Sequence, residues 1–215
     1  MHLNLSEKIF SFFHRFIEKK YHLRRLSNIL KDITLYKYPT IFDVGSNEGE
    51  SIDFFLNLFD NPKIYSFEPE TKSYQKLLNK YGKNNTINLF KFAFGNKKEE
   101  LKLKINVKSS TSTLSKINAK SKYYYLKSLI LNRSKNNIFL GEEKVKVKKI
   151  DDFFHQKKIK TIHILKIDTE GFELNVIRGA KKALKKTKII IIEFQLNDMY
   201  LNYNPKKIDN FLINN

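Results

Sequence analysis

The feature that most limits what this chain can fold into is a rhythm that starts after Pro39. Short apolar runs ending in acidic or glycine-containing turns alternate there with stretches of helical periodicity. TIFDVG (40–45) leads into SIDFFLNLF, and KIYSFE (63–68) leads into a helical pattern through Tyr74, Leu77 and Leu78. INLFKFAF (87–94) is a third apolar run. Farther along, IHILKID (162–168) and KIIIIEF (188–194) bracket a helix containing Val176, Ile177 and Leu184. Strands separated by helices require crossover connections, and crossovers cover both faces of a parallel sheet. The expected fold is α/β, a Rossmann-like, doubly wound and mostly parallel sheet.

Two stretches break the rhythm. Leu101, Leu103, Ile105 and Val107, and later Val145 and Val147, alternate with period two, as half-exposed strands do. Between them, residues 108–143 hold SSTSTLS, the run Tyr123, Tyr124, Tyr125 and many lysines, and read as an inserted flap. Such an insertion is either a lid or binding loop, or a surface loop that tolerates drift. Upstream, residues 1–38 read as a helical extension, with Ile9, Phe13, Phe16, Ile17, Leu23, Leu26, Leu30 and Ile33 at helical spacing among basic residues. A helix capping a core fits that pattern better than one lying on a membrane. Residues 39–215 are then the working domain, and a chain of 215 residues has room for one.

Composition narrows the chemistry. The chain has no cysteine, which removes disulfides, thiolate metal sites and cysteine nucleophiles. A net charge of +19 would ordinarily point to nucleic acid, anionic lipid or an acidic substrate. Yet only Arg15, Arg24, Arg25, Arg133 and Arg178 are arginines, and Asn and Ile abound. Drift of an A/T-rich coding sequence accounts for this better than a selected polyanion surface, which favours arginine's bidentate fork. No specific nucleic-acid partner is expected. No apolar run approaches the roughly 20 residues that cross a bilayer, and Glu7, Lys8, His14 and Arg15 interrupt any signal-peptide core. The expectation is a cytoplasmic protein with at most peripheral membrane contact.

The first strand runs into Asp43-Val-Gly45-Ser46-Asn47-Glu-Gly49 and then a helix. Glycine lets the backbone approach a ligand at a helix N-terminus, which marks a nucleotide-cofactor site. Asn47 stands where the second glycine of G-x-G-x-x-G belongs, so this is not the dinucleotide fingerprint. Asp43, Glu48 and Glu50 make the turn acidic, which repels a pyrophosphate and suits a cation. S-adenosylmethionine (SAM), with its sulfonium and ammonium, matches better than NAD. Glu68 ends the second strand 23 residues past Gly45, placed to accept both ribose hydroxyls. Lys166-Ile-Asp168-Thr-Glu170-Gly171-Phe-Glu173 and Glu193 bring further carboxylates to the same rim. For Asp168 and Glu170 the competing reading is helix N-cap chemistry.

DVGSNEG, FEPE, FAFGN, STL, KVKKIDDFF, LKIDTEGFELNVIRGAKKAL and IIIEF together resemble the FkbM-type SAM-dependent methyltransferases over about residues 40–195. The resemblance implies the class I methyltransferase fold and O-methyl transfer, frequently to a sugar or polysaccharide hydroxyl. By motif position it assigns Asp43, Gly45, Ser46, Asn47, Gly49 and Glu68 to the cofactor. Ala93 and Phe94 would lie near the adenine, and Asp168, Glu170 and Glu193 would face the acceptor.

Transfer to a hydroxyl requires a base, and Asp168 is the first candidate, with Glu193 second. His163, early in its strand, reads as structural, and His155 lies in a polar segment. A metal-free site is expected over a Mg²⁺ site. Two rivals stand beside this reading: a SAM- or nucleoside-binding protein with impaired catalysis, and a nucleic-acid methyltransferase, against which no N/D-P-P-Y/W tetrad appears. The resemblance implies a helix and an antiparallel hairpin after the fifth strand, and with only 21 residues following Phe194 the expectation is that the hairpin is missing. The apolar run 189–192 would then be an edge strand that invites a second copy of the chain.

Overall fold

A computed structural model describes residues 26–28, 30, 38–132 and 138–214. In chain order the elements are β1 (Thr40–Val44), α1 (Glu50–Leu58), β2 (Lys63–Phe67), α2 (Thr71–Tyr81), β3 (Ile87–Phe90), β4 (Ala93–Phe94) and β5 (Glu99–Asn106). A 3₁₀ turn (Ser109–Thr111), α3 (Lys122–Asn132), β6 (Phe139–Lys148), α4 (Ile150–Gln156), β7 (Ile162–Ile167), α5 (Glu173–Arg178), α6 (Lys181–Leu184), β8 (Thr187–Ile192) and α7 (Pro205–Ile213) follow. The main sheet is all parallel in the order β3-β2-β1-β7-β8, the Rossmann-like α/β arrangement the sequence rhythm implies. Strand order reverses between β1 and β7, and in such sheets the crevice beyond the strand ends at that point holds ligands.

Adjacent residues on a strand point to opposite faces, which divides the apolar runs between two cores. Ile41, Ile64 and Ile164 pack with Ile52, Phe55 and Leu77 on one side. Phe42, Tyr65 and Leu165 face the other, an aromatic layer centred on Phe153 of α4. Phe153 meets Phe67 edge-on at 5.1 Å between ring centroids and Phe90 at 4.9 Å, contacts worth about 0.5–1.5 kcal/mol each beyond area burial. Leu30 is buried in the first core with Leu26 packed against it, while the rest of the N-terminal pattern, Ile9 to Leu23 and Ile33, lies outside the described residues.

The period-two stretches form a second sheet in the order β4-β6-β5, with Leu103, Val145 and Val147 inward and Lys102, Lys144 and Lys146 outward. INLFKFAF is not one strand. β3 ends at Phe90, and Ala93–Phe94 turns away to pair with β6, so Phe92 and Phe94 both enter the Phe153 layer. The helix expected through Val176 to Leu184 is also two pieces. A Cβ on Gly179 would lie 2.0 Å from the Gly95 carbonyl oxygen, so the chain crosses there backbone to backbone. α6 restarts on Asp151, whose Oδ1 accepts from the Lys182 and Ala183 amides at 2.9 and 2.8 Å.

Of the flap, residues from 139 onward belong to β6. β8 lies at the sheet edge, and its residues 189–192 are half-buried, not covered on both faces. Asn204 caps α7 by accepting from the Lys206 amide, and Ile208 is buried in the aromatic core. Among the described residues no helix is long and apolar enough to cross a membrane.

Candidate active site

A cavity of about 980 Å³ opens at the carboxyl ends of β1, β2, β7 and β8, within the size range of cofactor sites. Gly45, Ser46 and Asn47 form one wall, Glu68, Ala93 and Phe94 the next, and Asp168, Glu170 and Glu193 the opposite one. Flap residues 108–114 close a further side of the cavity.

Gly45 is required by position. Its φ is +81°, and a Cβ would lie 1.8 Å from the Asp168 carbonyl oxygen, so the turn after β1 lies directly against the loop after β7. Asn47, at φ 45°, turns its amide onto Glu68 Oε2 at 2.8 Å, and the Glu70 amide donates to Oε1 at 2.9 Å. Burial pushes Glu68 up to about 7 in spite of both amides. Ser46 is almost wholly buried, donating to the Asp43 carbonyl and accepting from Ser66. Gly49 does not line the cavity. A Cβ there would strike the Tyr81 ring at 2.5 Å, so this glycine serves the packing of α1 on α2.

Asp43 is buried below the cavity. Its Oδ2 accepts from Ser51 at 2.6 Å, and Lys166 Nζ sits 3.3 Å from Oδ1. Glu48 is likewise paired, with Lys76 at 2.5 Å, and also accepts from flap residue Ser109. The turn after β1 is therefore less acidic than its sequence suggests, because two of its three carboxylates are paired with lysines from β7 and α2.

On the opposite wall, Asp168 Oδ2 is 3.3 Å from Lys166 Nζ. Glu193 lies just past β8; the packing around its carboxyl, with the carboxylates of Asp168 and Glu170 beside it, pushes it up to about 7. Glu170, at φ 52°, accepts from Tyr200 Oη at 2.5 Å, and its carbonyl accepts from Thr113 Oγ1 at 2.6 Å. Capping of α5 falls to neither Asp168 nor Glu170. No side chain caps this helix; Glu173 Oε1 instead fastens the loop before it, accepting from the Thr169 amide and hydroxyl and the Gly171 amide at 3.0–3.1 Å. His163 is structural, its Nδ1 accepting from the Thr40 amide at 2.9 Å.

Lys166 and Tyr200 are site-shaping residues to which the sequence reading gives no role, while Glu173, read there as a rim carboxylate, is fully buried and does not line the cavity. Lys166 had a signal, a lone charge in a central apolar strand, in register with Asp43. Tyr200 had none, because its role depends on the chain returning beneath Gly171, whose Cβ would meet the Tyr200 ring at 2.6 Å.

An all-parallel sheet with a glycine turn after β1 and a carboxylate-lined cavity at its switch point defines a Rossmann-like α/β domain. Residues 43–215 match the family described as Methyltransferase FkbM domain, and the chain belongs to that family. It is 25% identical over 169 residues to the 2-O-methyltransferase NoeI of Sinorhizobium fredii (strain NBRC 101917 / NGR234). That alignment takes in 75% of this chain and 65% of NoeI, so the chain spans a little under two-thirds of its relative's length. No solved structure matches.

Proposed function

We propose that the protein is a SAM-dependent O-methyltransferase acting on a sugar hydroxyl. The observation that carries this reading is the division of one cavity between a buried Glu68 held by two backbone amides and a facing Asp168, Glu170 and Glu193 cluster. The family and the name of the relative agree with it.

The residues suit the cofactor. Gly45 keeps the turn free of a side chain, and Glu68 retains lone pairs for two ribose hydroxyls beyond those used by Asn47 and Glu70. Ala93 and Phe94 give an apolar wall for an adenine. When bound, SAM supplies an electrophilic methyl carbon.

Glu193 then takes the acceptor's proton in preference to Asp168. A general base works best with its acidity near the working pH; Glu193 is raised to about 7, whereas Asp168 is held against the Lys166 ammonium. Ser110 lines the flap wall beside Ser109 and Thr111, whose hydroxyls donate to Glu48 and to the Lys108 carbonyl, and a polar wall of this kind suits a polyhydroxylated acceptor. Transfer of label from methyl-labelled SAM to a panel of mono- and oligosaccharides, with the product position read by mass spectrometry, tests the proposal. Label on a protein or nucleic acid but on no saccharide would contradict it.

A further inference from the structure

The flap holds a second pattern that the site chemistry leaves unused. No Asp or Glu falls between Lys108 and Gly141, although the chain has 22 elsewhere, while Lys108, Lys116, Lys120, Lys122 and Lys127 all fall there. Uniform drift would scatter both signs. α3 at its centre is apolar on two sides. Ser121, Tyr124 and Ser128 are buried and fasten it, with Ser121 Oγ donating to Asp198 and Tyr124 stacked on Phe139 at 6.3 Å between centroids. Away from that face, Tyr125 is 48% exposed, Leu126 57% and Leu129 37%, in line at helical spacing with the exposed Lys122. Tyr124 and Phe139 also wall an open groove whose other residues include Lys104, Lys116, Glu142 and Leu140, the last 69% exposed.

We propose that α3 and the adjoining groove rim are a docking surface for an anionic lipid bilayer. Aromatic and leucine side chains beside lysines are the composition that partitions into the headgroup boundary, with apolar burial and lysine attraction adding. A nucleic-acid backbone would reward the lysines but not the exposed leucines. A protein partner would have no need of a stretch free of acids.

The test uses the full chain and needs no cofactor or acceptor, so its outcome is separate from that of the methyl-transfer reading. Co-sedimentation is measured with vesicles of phosphatidylglycerol and phosphatidylcholine and with phosphatidylcholine alone, at low and high salt. The protein partitions onto the anionic vesicles, weakly onto the neutral ones, and less at high salt. Leu126→Glu with Leu129→Glu lowers partitioning tenfold or more; Lys120→Glu with Lys122→Glu lowers it about fivefold per lysine removed. Both variants keep the wild-type circular dichroism spectrum. Failure of the wild type to bind anionic vesicles overturns the proposal, as does undiminished binding by both folded variants. Loss of a dimer on the leucine substitutions, with vesicle binding unchanged, also overturns it and assigns the face to a second copy.

Discussion

Lys166 Nζ stands 3.3 Å from Asp43 Oδ1, joining the carboxyl ends of β1 and β7 at the point where strand order reverses. The same nitrogen is 3.3 Å from Asp168 Oδ2 and from the Gly45 carbonyl oxygen. Although burial opposes it, the two carboxylates hold the Lys166 ammonium well above the ordinary lysine range. One ammonium between two carboxylates leaves the cavity floor net negative, and Glu68 and Glu193 nearby are carboxyls raised to about 7.

Removing the ammonium leaves Asp43 as a buried charge without its cation, a loss of about 3–5 kcal/mol in comparable buried pairs. Lys166→Met is accordingly expected to lower the midpoint of thermal or urea unfolding strongly. Because the folded-state value is raised, the stabilisation is complete below the unfolded lysine value near 10.4 and fades only as pH climbs through the folded one. The gap between wild type and variant therefore stays level between pH 6 and 9. A variant within about 0.5 kcal/mol of wild type would mean that the pair contributes nothing.

With Glu193 as base, the deprotonated form is the active one, so kcat/KM rises as pH increases through about 7. Glu193→Gln removes that limb and lowers turnover roughly 10²- to 10⁴-fold. If the limb survives in this variant and disappears in Asp168→Asn, the two carboxylates exchange roles.

Gly45→Ala combines a positive φ with a Cβ 1.8 Å from a backbone oxygen that no rotamer can clear. The turn must shift by more than an ångström or the protein must unfold, and a penalty above about 2 kcal/mol is expected. Wild-type unfolding by the alanine variant would show that the turn after β1 is more pliant than its packing against Asp168 implies.

The main sheet was legible because its signal is local: each interior strand is an apolar run broken by a polar turn, and helices intervene. Where the path depends on distant backbone contact, no local signal marks it. The split of 87–94 follows from β6 pairing with Ala93–Phe94, and the helix break at Gly179 follows from Gly95 lying against it. The site shows the same divide. Glu68 and Asp168 announce themselves as acids ending apolar strands, but pairing of Asp43 with Lys166 and of Glu48 with Lys76 joins residues far apart in the chain. Net charge along a short segment could not reveal that pairing. Glu170 lines the cavity as its motif position suggests, but the hydrogen bond it accepts from Tyr200, beyond β8, has no local signal.

Calorimetric titration with SAM, S-adenosylhomocysteine and NAD at several pH values tests most directly whether the cavity is a SAM site. SAM and S-adenosylhomocysteine are expected to bind saturably and NAD not. Affinity should increase as pH rises through about 7, where Glu68 ionises and becomes the better acceptor for ribose hydroxyls. Glu68→Gln should weaken binding by about 1–3 kcal/mol and flatten that pH dependence. Tight NAD binding with no heat from SAM, or SAM affinity untouched by Glu68→Gln, would contradict the assignment.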